Sequence, residues 1–203
     1  MRTSLPLMVL AAFSATANWA IPIDIQTSNA GGNTGTENIL FNEPGLTGSG
    51  TTVQGISNQS DFLVNFTSAT SLTTPSGGQA RIQEDFTDLA IALASGTFTK
   101  AIFNLDANAN GTVAFTVNYS GATGSPFTET FNVGQNGNNF FQVLAADGAR
   151  ISSIALLGTT TFENIAQIRL GGFEGGTSVP DGGATAALLG LGILALSGFR
   201  GRK

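Results

Sequence analysis

The segment Asp106-Ala107-Asn108-Ala109-Asn110-Gly111 comes nearest to a chemical site in residue type and spacing. Oxygen-bearing side chains at alternate positions followed by glycine open a calcium-binding loop, which makes Asp106, Asn108 and Asn110 the metal candidates. The loop is incomplete. Its twelfth position is Val117, where a bidentate glutamate belongs. One formal negative charge holds a divalent cation poorly unless another loop lends a carboxylate. The same residues suit a hairpin between Phe98–Leu105 and Thr112–Tyr119, with Asn and Gly supplying the turn geometry, and this is the reading preferred here. No cofactor is expected, with calcium kept open.

Glu84, Asp85 and Asp88 are the other carboxylates close enough in sequence to suggest acid–base work. Glycoside hydrolysis needs two carboxyl groups facing each other across a cleft. Neighbouring acids on a strand point to opposite faces, so a solvated turn is expected at this position. His and Cys are both absent, which removes imidazole-based triads, thiolate nucleophiles, zinc sites built on nitrogen or sulfur, and disulfides. No catalytic residue is assigned, and a non-enzymatic role is expected. Trp19 and Tyr119 are the only large aromatics with a polar edge. Tyr119 closes a core-facing series, which leaves the body poorly equipped to stack sugars.

The elements that carry these residues are short runs rich in Val, Ile, Phe and Thr, cut by Gly, Asn, Asp, Ser or Pro. Strands are expected at Glu37–Asn42, Thr51–Ile56, Asp61–Thr67, Gln79–Glu84, Leu89–Leu93 and Thr97–Leu105. Others follow at Thr112–Tyr119, Phe127–Val133, Asn139–Ala145, Ile151–Leu157 and Ile165–Phe173. In Thr112–Tyr119 the residues Val113, Phe115, Val117 and Tyr119 alternate with polar or small ones, the signature of a half-buried antiparallel strand. Asn110-Gly111, Gln135-Asn136-Gly137 and Asp147-Gly148 supply tight-turn chemistry. No helical crossover interrupts the series. The pattern predicts an all-β domain over residues 18–174, an antiparallel β-sandwich of jelly-roll type, with the Phe residues as its large core side chains.

Charge separates this body from its ends. Of eight basic residues, Arg2, Arg200, Arg202 and Lys203 lie at the termini. The interior keeps Arg81, Lys100, Arg150 and Arg169 against nearly all of the thirteen acids. Such a body repels phosphate backbones, which excludes nucleic acid as a partner. The amino end joins one cation, an apolar stretch from Leu5 to Phe13, and Ala15-Thr16-Ala17. This three-part pattern predicts a signal peptide over residues 1–17, cut after Ala17 and read by the Sec export machinery. Gly175–Ser178 reads as a linker to the other end.

Residues 179–203 read as Val179-Pro180-Asp181-Gly182-Gly183, an uncharged span at 184–199, and a basic tail of Arg200, Arg202 and Lys203. A helix from Gly183 to Phe199 is about 26 Å long, just short of the roughly 30 Å hydrocarbon core. Its Leu, Ile and Phe residues favour insertion by about 3 kcal/mol together, opposed by Gly190, Gly192 and Gly198. A single transmembrane helix of marginal strength, with its cations held on the cytoplasmic side, is expected there.

This three-part tail resembles the VPDSG-CTERM sorting signal, a relative of the PEP-CTERM signals of Gram-negative bacteria. Val179, Pro180, Asp181 and Gly183 stand where that pattern has them, and Gly182 replaces its serine. The resemblance implies recognition and cleavage by an exosortase, a membrane-embedded protease. It implies passage through the inner membrane and deployment at the cell surface or outside the cell. The runs Asp85–Ile91, Asn136–Phe141 and Ala146–Ile151 give the body a looser similarity to β-sandwich domains that precede such tails. The expectation is an exported structural or adhesive protein of the envelope or extracellular matrix; the rival is a polysaccharide-binding module, with or without calcium.

Overall fold

The alternation read in Thr112–Tyr119 is present in space: Val113, Phe115, Val117 and Tyr119 are buried, whereas Asn118 is exposed and Thr112, Ala114 and Thr116 are half-buried. The structure is a computed structural model that describes residues 21–27, 35–75, 80–135 and 139–175. Their strands are β1 (Ile23–Gln26), β2 (Glu37–Leu40), β3 (Ser49–Ser57), β4 (Leu63–Thr73) and β5 (Arg81–Leu93). The chain continues through β6 (Lys100–Ala107), β7 (Gly111–Ser120), β8 (Phe127–Val133), β9 (Asn139–Ala145) and β10 (Arg150–Gly171). All named strand pairs are antiparallel, and the described residues contain no helix long and apolar enough to cross a membrane. The expected signal peptide at 1–17 and membrane span at 184–199 lie outside the described residues.

The expected sandwich is built as one ten-stranded sheet rather than two. β10 is its spine. Along one edge, β7 pairs with Arg150–Gly158 and β6 with Phe162–Gly171. Along the other edge, β5 spans both halves, and β2 takes over at Arg169 and Leu170. The pairs β10–β2, β2–β3, β3–β4, β4–β5 and β5–β10 form a closed ring. Closure is short at β2, which pairs two residues with β10 and two with β3.

One expectation changes here. Consecutive strands pair in β2–β3, β3–β4, β4–β5 and β7–β8, while β1–β9–β6–β10, β10–β2 and β10–β5 join strands distant in sequence. The Asp106–Gly111 segment is not a hairpin. It is a corner, because β6 and β7 lie end to end along β10 and do not pair with each other. The partner strands turn at the same level, with register breaks at Leu157/Phe162 in β10 and beside Phe86 in β5. Gly158 permits this. A Cβ there would stand 2.5 Å from the Phe162 ring and 2.6 Å from the Thr160 carbonyl oxygen.

The inward faces enclose one core. Phe103, Phe115 and Phe141 are buried in it and meet one another, with the Phe115 and Phe141 rings 4.8 Å apart, and Phe131 packs on Phe115 and Phe141. Phe86 and Phe162 pack 5.7 Å apart at the corner, and Phe41 meets Phe66 on the ring side. Each such ring buries on the order of 150–250 Å², so each is a large single contribution to the apolar term in stability.

Candidate functional site

The metal candidates fall on the corner, and their side chains go to three different places. Asp106, near the end of β6, accepts a hydrogen bond from Asn164 Nδ2 at 3.2 Å, within the β6–β10 register. Asn108 donates from Nδ2 to Asp85 Oδ1 and to Thr161 Oγ1, both at 2.9 Å, while its backbone N–H reaches the Thr161 carbonyl oxygen. Asn110 Oδ1 accepts from the Gln135 backbone N–H at 2.9 Å. Asn108 thus turns its nitrogen, not its oxygen, toward the one carboxylate within reach. Among the described residues no group of three or more carboxylates is placed to hold a metal ion.

Glu84, Asp85 and Asp88 are not in a turn. They lie inside β5, and Glu84 sits at φ 106° in the bulge that bends the strand. Asp85 ties down Asn108, and Asp88 Oδ2 accepts the Ala69 N–H at 2.9 Å where β4 bows away from β5. Those two carboxylates hold neighbouring strands in place. Tyr119 is buried, and its hydroxyl donates to the Thr123 carbonyl oxygen within the β7–β8 connection.

Two outward surfaces carry the remaining polar chemistry. The first is a flat face across β3, β4, β5, β10, β7 and β8. One row in register reads Thr52, Thr67, Ala90, Ala155, Thr116, Thr128, and the next reads Gln54, Asn65, Ala92, Ser153, Asn118. Cross-strand contacts join Thr52 to Thr67 at 3.0 Å, Gln54 to Asn65 at 3.2 Å and Asn118 to Ser153 at 3.0 Å. Neither row contains a charge. The exposed Leu157 stands beside them, opposite Ala114 and Asp88.

The second surface is a slot beside the other half of β10. β5 ends at Arg81 opposite Ala166, and β2 meets the same edge with Asn38 opposite Arg169. Between these pairs Gln167 takes a left-handed φ of 55°, and the ladder gives way to a single Ile168 N–H bond to the Ala80 carbonyl oxygen. Left-handed backbone costs a non-glycine residue about 1 kcal/mol, so the interruption is held by its surroundings. The gap opens a cavity of 460 Å³ lined by Asn38, Leu40, Arg81, Ala166, Gln167 and Arg169, and by Ala80 where β5 begins. Two of the four interior cations meet there. The sequence shows that those cations are few but not that Arg81 and Arg169, 88 positions apart (169 − 81), share a wall.

The remaining candidates are the sorting residues Val179, Pro180, Asp181, Gly182 and Gly183, the basic tail Arg200, Arg202 and Lys203, and the cleavage residues Ala15 and Ala17. All lie outside the described residues. For the tail, comparison with known families decides the matter. Residues 178–203 match the VPDSG-CTERM motif. The VPDSG-CTERM motif implies exosortase-type processing, export and targeting to the cell surface. No curated protein and no solved structure matches the chain.

Proposed function

We propose that this chain is an exported, non-enzymatic β-protein that the Sec machinery moves across the inner membrane. An exosortase then cuts its tail, and the body works at the cell surface or in extracellular matrix as a structural or adhesive part. The observation that carries this reading is the VPDSG-CTERM match at residues 178–203. The amino-terminal run of one cation, an apolar stretch and Ala15-Thr16-Ala17 supports it from the other end. Within the body, Asp85 and Asp88 each accept a hydrogen bond from a neighbouring segment, a structural use of both carboxylates.

A second reading, a polysaccharide-binding module, draws support from the uncharged hydroxyl and amide rows, which can hydrogen-bond to sugar hydroxyls without an ionic partner. Calcium at Asp106, Asn108 and Asn110 belongs to this reading as an addition and would need Asn108 to turn its oxygen outward.

Intact mass spectrometry of the protein recovered from its native host tests the main reading. The expected product lacks residues 1–17 and is cut at or near residues 179–183. A soluble cytosolic product still carrying Met1 and Lys203 would sink it.

A further inference from the structure

We infer that the slot between the end of β5 and β2 is a binding site for the carboxylate of an acidic sugar, so that the body's ligand is a uronate-containing polysaccharide. The slot joins three chemistries that such a residue needs. Arg81 and Arg169 supply planar guanidinium groups, whose paired N–H donors match a carboxylate. Asn38 and Gln167 supply amides for ring hydroxyls. Leu40, Ala80 and Ala166 supply apolar surface for the C–H face of the ring.

Charge within the slot favours an anionic group, although the body as a whole is net negative and gives a long polyanion no general attraction. The ion pair found among the described residues is Arg150 with Glu174, and it involves neither Arg81 nor Arg169. Arg81 lies against the side-chain amide of Gln83, whose oxygen accepts from the guanidinium once the amide is turned to face it. Arg81 also lines a second cavity, together with Glu84, Asp85 and Glu163, whose carboxylates repel an acidic polymer on that side. At 460 Å³ the slot falls within the usual range for small-ligand sites.

This inference rests on the reading of the body as an extracellular part that contacts polysaccharide. The mass measurement tests export and the binding measurement tests the slot, so the two can fail separately.

The test is titration of the purified full-length chain in mild detergent with oligogalacturonate, its neutral methyl ester, and dextran sulfate. Binding of the oligogalacturonate alone is expected, weakening as salt is raised. Arg81→Gln and Arg169→Gln should each weaken it by about tenfold or more, while Arg150→Gln, which removes the same charge elsewhere, leaves it within about twofold. Should Arg169→Gln melt early, Arg169→Lys, which keeps the charge and loses the fork, should still weaken binding severalfold. Absence of binding by the unaltered chain, binding retained in both Gln variants, or equal binding of the methyl ester or of dextran sulfate overturns the assignment.

Discussion

The two halves of β10 bury alike and expose unlike chemistry. Arg150–Gly158 turns Ile151, Ile154 and Leu156 inward, and Phe162–Gly171 does the same with Phe162, Ile165, Ile168 and Leu170. Outward, the first half contributes Ser153 and Ala155 to uncharged rows that run in unbroken register across five or six strands. The second half carries Glu163, Gln167 and Arg169 beside a ladder that loses its register between Ala166 and Arg169. The contrast shows where a sheet acquires a site. Regular pairing sets outward side chains on a flat lattice about 4.8 Å apart between strands, whereas an interrupted ladder opens depth and lets distant residues converge.

Changes to what the halves share should be the most damaging. Phe115→Ala empties the centre of the aromatic cluster with Phe103, Phe131 and Phe141, and should lower stability by about 3–5 kcal/mol in chemical denaturation. The corner that separates them comes next. Gly158→Val drives a side chain into the Phe162 ring and the Thr160 carbonyl, at a cost of about 1–3 kcal/mol read as an earlier melting midpoint. The smallest effect is at the polar brace of that corner. Asn108→Ala removes bonds to Asp85 and Thr161 and should cost about 1 kcal/mol. The same melting experiment sharpens the calcium question: millimolar calcium should leave the midpoint unchanged. A rise that Asp106→Asn abolishes would put a metal loop at the corner instead of a brace.

Much of the local structure was legible because period-two alternation is a local signal. Phe127–Val133 and Asn139–Ala145 have the bounds read from sequence, and the buried set Val113, Phe115, Val117 and Tyr119 was expected residue by residue. What resisted was anything decided by partners far along the chain. Arg81–Glu84 and Leu89–Leu93 belong to one strand bent at Glu84, and Ile151–Leu157 and Ile165–Gly171 to one bent at Gly158, because polar residues mark a bend in a strand as readily as its end. Asp147 and Gly148 do take the positive φ that their types suggest, yet they join β9 to β10, which pair with other strands. Turn residues report a change of direction, not the identity of the neighbour. β1 went unseen because four residues, Ile23–Gln26, are too few to establish a period. The slot had no signal of its own, since it is defined by where β5 stops and β2 starts along a third strand.

Thr97 exchanges two backbone hydrogen bonds with Glu174, Phe98 two with Ile151, and the Thr99 N–H reaches the Gly171 carbonyl oxygen. The segment 97–99 therefore straps the end of β10 to its beginning, immediately before the sorting tail departs. A load applied at Gly175 along β10 would enter the longest strand among the described residues. Ladder bonds lie across that axis, so under such a load many must fail together rather than one after another.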